Sequence, residues 1–97
     1  MLDMGAAIVV NNRRSEMEII KEILLLSQTA TRKTQILYQV NLSYKQLQIY
    51  LDHLLVNNIL QKQEIKNNGS SYSLYQTTQI GNRLLSDINK TLSYFNK

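Results

Sequence analysis

Ninety-seven residues, 43% of them apolar, are enough for one domain with one modest core and too few for two. The chain has no cysteine, which excludes disulfides, thiolate metal sites and a cysteine nucleophile, and its net charge is +4. No apolar run approaches the roughly 20 residues that cross a bilayer. The run 6–10 is too short for a signal peptide and lacks a basic flank, so a cytoplasmic protein is expected.

The charge is unevenly placed. Residues 15–28 hold Glu16, Glu18 and Glu22 against Lys21, a net of −2. Residues 31–57 hold Arg32, Lys33 and Lys45 against Asp52, a net of +2, and residues 58–97 carry five cations against Glu64 and Asp87, a net of +3. An acidic start followed by a basic remainder suits an oriented approach to a polyanion.

The first fourteen residues fit no periodic pattern and are expected to form a loosely held arm. Ser15 and Glu18 form a capping box, and Ile19, Ile20, Ile23, Leu24 and Leu26 follow at helical spacing, which predicts a helix over 15–28. Thr31 is placed to cap a short second helix running through Thr34, Ile36, Leu37 and Val40. Residues 29–32 are also expected to supply a short strand. Asn41-Leu42 reads as a tight turn, because Ser43 opens a second capping box with Gln46. The third helix is predicted over 44–57, with Leu47, Leu51, Leu54 and Leu55 on its buried side.

After Asn57-Asn58 the period changes. Residues 59–65 and 72–77 are strand-like, joined by the polar hairpin segment 66–71. Thr77-Thr78 then caps a last helix over 79–95. The predicted class is mainly α with a small β-hairpin. Helix, short strand, helix, turn, helix, hairpin and helix is the order of a winged helix-turn-helix. The expected division is an arm over 1–14, the winged domain over 15–78 and a C-terminal dimerisation helix over 79–97.

In such a fold the third helix is the recognition helix. Its outward face carries Lys45, Ile49, Asp52 and Val56, flanked by Gln46, Gln48 and His53. Lys45 can donate to guanine, Gln46 or Gln48 can pair with adenine, and Ile49 can touch a thymine methyl. Ser43 and Tyr44 open this helix beside them. Arg32, Lys33 and Thr34, at the start of the second helix, suit a phosphate clamp. Lys66, Asn67 and Asn68 form a polar wing tip suited to a phosphate backbone or minor groove. On the last helix Leu85, Ile88, Leu92 and Phe95 follow heptad spacing and are expected to face a second copy of the chain, while Ile80 and Leu84 face the domain core. No catalytic constellation, glycine-rich phosphate loop or metal-ligand set is present, so no enzyme, cofactor, metal or membrane partner is expected.

The stretch Thr34-Gln35-Ile36-Leu37-Tyr38-Gln39-Val40-Asn41-Leu42-Ser43-Tyr44-Lys45-Gln46-Leu47 resembles the helix-turn-helix of small archaeal winged-helix DNA-binding regulators. The likeness continues through Tyr50 to Leu55, through Ile59-Leu60, and into Tyr75, Thr78 and Gly81 at the strand-to-helix junction. It implies a dimeric binder of double-stranded DNA, with the final helices forming an antiparallel coiled coil, acting as a nucleoid-associated regulator or chromatin protein. Asn58 stands where that family has glycine, the last helix is short, and the N-terminal arm is unlike the pattern. Three readings follow: a sequence-preferring regulator, an architectural chromatin protein, and a winged helix used only for protein contacts.

Overall fold

The structure, a computed structural model, describes residues 14–95. The expected arm lies outside these residues except for Arg14. Helix α1 spans Glu16–Leu26. The Ser15 hydroxyl accepts from the Glu18 backbone at 3.2 Å, and the Glu18 carboxylate accepts from the Ser15 backbone at 3.0 Å. That backbone bond and a second from the Ser15 hydroxyl hold the Glu18 carboxyl below the ordinary carboxylate range. The helix buries Ile23 and Leu24.

Strand β1 is only Thr31–Arg32, and α2 spans Lys33–Val40. Thr31 does not cap α2, as its position in the sequence suggested. It is buried opposite Tyr75, with its hydroxyl turned to the carbonyls of Leu26 and Thr29, and the residue at the cap is Arg32, which makes no side-chain capping bond. Strand pairing overrides the local capping preference here.

Helix α2 ends at Asn41, whose φ of 59° is left-handed, a conformation asparagine tolerates. Ser43 and Gln46 then cap α3, Tyr44–Val56, reciprocally at 3.1 Å each way. Arg14 braces the turn from outside: its guanidinium pairs with Glu22 of α1 at 2.6 Å and donates to the Val40 carbonyl at the end of α2. Leu47, Leu51 and Leu54 of α3 enter one core with Ile23, Leu24, Ile36, Val40, Leu60, Tyr75 and Leu85.

Strands β2, Leu60–Asn67, and β3, Ser70–Thr77, form the wing, and β1 adds antiparallel to β3 in the order β1-β3-β2. The hairpin turn is Asn68-Gly69, with φ of 51° and 83°. Two positive values in succession match the twist of the strands that they join. The six-residue loop expected over 66–71 therefore shrinks to two residues, since Lys66 pairs with Ser71 and Asn67 with Ser70.

Helix α4, Gln79–Ser93, is capped by the Thr78 hydroxyl, which accepts from the Gly81 backbone at 3.0 Å. It packs chiefly on α1. Gly81, Leu85, Ile88 and Leu92 share one side of it, so Leu85 and Ile88 are covered within the chain, 9% and 4% exposed. Two of the four residues expected to face a second copy are thus covered by their own chain, since their apolar spacing also fits a helix folded back on α1. Ile80, expected in the core, is half exposed instead.

The Ser27 hydroxyl is buried without a partner among the described residues, although the Ser27 carbonyl accepts from the Thr77 backbone at 2.8 Å. Ser27→Ala should leave stability unchanged or raise it by up to about 1 kcal/mol, because it removes an unsatisfied polar atom. Urea denaturation measures this, and a clear loss would mean that the hydroxyl has a partner.

Candidate nucleic-acid interface

The side of α3 opposite its buried leucines is open. Lys45, Asp52, His53 and Val56 are exposed and Ile49 is half exposed. Among the described residues Lys45 has no hydrogen-bond or ion-pair partner. A lysine with no polar partner and a half-exposed isoleucine, both held outward on one helix, are available to a partner.

The other residues singled out on α3 are already engaged. Ser43 and Gln46 are tied into the capping box. Gln46 keeps its amide N–H₂ group free, but its carbonyl accepts from the Ser43 backbone. Tyr44 lies beneath Lys33, whose ammonium is 4.1 Å from the ring centroid and 2.8 Å from the hydroxyl. Gln48 accepts from Lys33 and donates to Asp52 at 2.8 Å.

Between α3, the start of α2 and the sheet lies a cleft of about 340 Å³, lined by Arg32, Lys33, Thr34, Gln48, Lys62 and Tyr72. Arg32, Lys33 and Thr34, grouped in the sequence as a phosphate clamp, all line this cleft. Arg32 stacks on the Tyr72 ring at 3.9 Å. Such cation–π contacts hold long side chains in place without spending their charge. Lys62 on β2 pairs with Glu64 at 3.4 Å, an exposed contact of little energetic weight. The Ser73 hydroxyl on Glu64, and then Lys62, keep that carboxyl below its ordinary range. Three cations therefore meet in one recess, each supplied by a different element.

Lys62 and Tyr72 were missed by the sequence reading, although a signal for Lys62 existed. A two-residue turn at 68–69 sets the ladder, and counting back from it pairs Lys62 with Tyr75. Arg14 was missed because an arm residue has no periodicity to read. The exposed wing end of Lys66, Asn67 and Asn68 is not part of the cleft. On the far side of α3, Ile49 borders a groove of about 480 Å³ shared with Glu16, Ile20, Tyr50 and His53. Burial there raises the Tyr50 phenol above its ordinary value. No group of side chains suited to a metal ion occurs among the described residues, and no described helix is long and apolar enough to cross a membrane.

The family model for the winged helix-turn-helix matches residues 13–95, nearly the whole chain. The chain belongs to the winged helix-turn-helix family. An uncharacterized protein of Methanocaldococcus jannaschii is 28% identical over 85 residues, covering 87% of this winged helix and 79% of its relative. Among solved structures, Sso10a-2, a DNA-binding protein from Sulfolobus solfataricus, is similar with a TM-score of 0.70 at 26% identity. That match covers 84% of this chain and 81% of the other. A PadR-like transcription factor from Bacteroides fragilis has a TM-score of 0.71 at 17% identity over 82% and 84% of the two chains, a likeness of fold alone.

Proposed function

We propose that this winged helix-turn-helix protein binds double-stranded DNA as a homodimer and regulates transcription, working in the cytoplasm on the nucleoid. The observation that carries the reading is the free outward face of α3 lying beside a cleft with three cations. The likeness to a DNA-binding protein of Sulfolobus supports it. In this reading α3 enters the major groove. Lys45 donates to guanine and Ile49 meets a thymine methyl. Gln46 adds its amide N–H₂ group as a donor, because its carbonyl is turned to the helix cap. Arg32, Lys33 and Thr34 hold phosphate, with Ser43 and Tyr44 beside them. Lys66, Asn67 and Asn68 carry the wing onto the backbone or into the minor groove. The C-terminal end of α4 joins the two subunits, with Tyr94 and Phe95 exposed and Leu92 partly covered.

Salt-titrated binding to specific and random DNA tests the reading. A steep loss of affinity with salt reports phosphate contacts, and a wide gap between sequences reports base reading. Salt dependence without that gap would favour an architectural chromatin protein, and no binding at low salt would leave protein contacts. Lys45→Ala and Ile49→Ala should each shift sequence preference by about 1–3 kcal/mol without loss of helix content. Unchanged selectivity in both would remove α3 as the reader.

A further inference from the structure

Lys33 does not sweep freely over the cleft that it lines. Its ammonium sits over the Tyr44 ring and donates both to the Tyr44 hydroxyl, at 2.8 Å, and to the Gln48 carbonyl. An ammonium has three N–H bonds, so one donor and the full charge remain for a ligand. Tyr44, Gln48 and Asp52 follow one another at four-residue spacing and so share one side of α3.

The chemistry of Asp52 sets which way the Gln48 amide points. An ionised carboxylate only accepts, so the end of Gln48 that faces Asp52 at 2.8 Å must be the N–H₂ group. The carbonyl is then left toward Lys33. The reverse orientation would set a carbonyl against a carboxylate and an N–H₂ group against an ammonium, two repulsive contacts in place of two bonds. The acid on the exposed face of α3 thus has a structural reason to be there, although by charge alone it opposes a polyanion.

Adenine recognition by glutamine needs both amide atoms at once. Here the carbonyl is turned to Lys33 and the N–H₂ group to Asp52, so aiming both at one adenine edge would release Lys33 and leave the Asp52 carboxylate unpaired beside the DNA. Resting on the DNA-binding reading above, we infer that Tyr44, Gln48 and Asp52 form a cradle that fixes Lys33 for one DNA phosphate. Gln48 is therefore a positioning residue and not a base reader. The cradle leaves less side-chain entropy to lose on binding. Its effect is the same on every DNA sequence, since every sequence presents the same phosphate.

Gln48→Met tests this, because it keeps the length and helix propensity of the side chain and removes both amide atoms. Two readouts apply: the Lys33 ε-methylene resonances of the free protein, and affinity for a panel of DNA sequences across salt concentrations. The wild-type resonances should be displaced by the Tyr44 ring, and Gln48→Met should return them to the ordinary lysine position. Gln48→Met should also weaken every sequence by one common factor, roughly two- to tenfold. It should have no effect when Lys33 is already methionine, and Lys33→Met should lower the salt slope by about one. A changed ranking of sequences in Gln48→Met, or losses that simply add to those of Lys33→Met, would overturn the cradle. So would a wild type that binds DNA with undisplaced Lys33 resonances. Displaced resonances in a protein that binds no DNA at low salt would overturn the DNA-binding reading, and with it the use assigned to the cradle.

Discussion

Gly81→Ala is expected to lower the melting temperature by roughly 10 °C, from a loss of about 2 kcal/mol in a domain of this size. The sign runs against helix propensity, which favours alanine over glycine by about 1 kcal/mol in a helix interior. Space decides it. A Cβ on Gly81 would stand 2.3 Å from the Ile59 carbonyl oxygen and 2.7 Å from the Thr77 methyl. That carbonyl cannot easily retreat, because it accepts from the Thr78 backbone at 3.1 Å and from the Thr78 hydroxyl at 3.0 Å. Moving α4 away would instead open the packing of Leu85 and Ile88, both buried in the chain. Ser86→Ala, on the exposed side of the same helix, is the control and should be neutral or slightly stabilising. Thermal unfolding of the three proteins reads the difference. An unchanged midpoint in Gly81→Ala would show that α4 can shift off the strand at little cost.

Tyr94→Glu combined with Phe95→Glu should convert a dimer to a monomer that keeps its fold. Both rings stand at the end of α4, 73% and 77% exposed, and neither belongs to the core. A glutamate there removes little from the packing of the single chain. Burying an aromatic side chain is worth about 1.5–3 kcal/mol, and a two-fold interface counts each residue twice, so losing both rings should move the dissociation constant by orders of magnitude. DNA affinity should fall with it, because one subunit engages one half-site while a dimer engages two at high effective concentration. Leu85 and Ile88 are poor choices for this experiment, since charging either would strike the core. Sedimentation equilibrium with circular dichroism decides between the outcomes. A wild type that is monomeric at micromolar concentration, or a double variant that stays dimeric, ends the proposal.

The sequence by itself determined the features that rest on short-range chemistry. Ser15 with Glu18, and Ser43 with Gln46, satisfy the free backbone groups of their own helix starts, so both boxes could be read from spacing. The left-handed positions Asn41, Asn58 and Asn68 all fall on asparagine, the non-glycine residue that bears a positive φ most readily. The polar hairpin segment 66–71 was legible as well, although its length was not: the structure reduces it to the two-residue turn Asn68-Gly69, and that turn fixes the register of the wing. These local signals, taken in order, were enough for the element order and hence the family.

Only the tertiary structure decided where one element meets another. Thr31 suited both a helix cap and the short strand expected over 29–32, and pairing with Tyr75 of β3 settles it in the strand. The apolar stripe of α4 fits α1 or a second chain equally well by spacing, and it is the missing side chain of Gly81 that lets α4 settle against the Ile59 carbonyl, with Leu85 and Ile88 turned inward. Gln48 and Lys33, fifteen residues apart, looked like a base reader and a phosphate ligand. Packing α2 against α3 brought them into one hydrogen-bonded group with Tyr44 and Asp52. No local pattern encodes that meeting, because each side chain's free donors and acceptors depend on which neighbour the fold brings within reach.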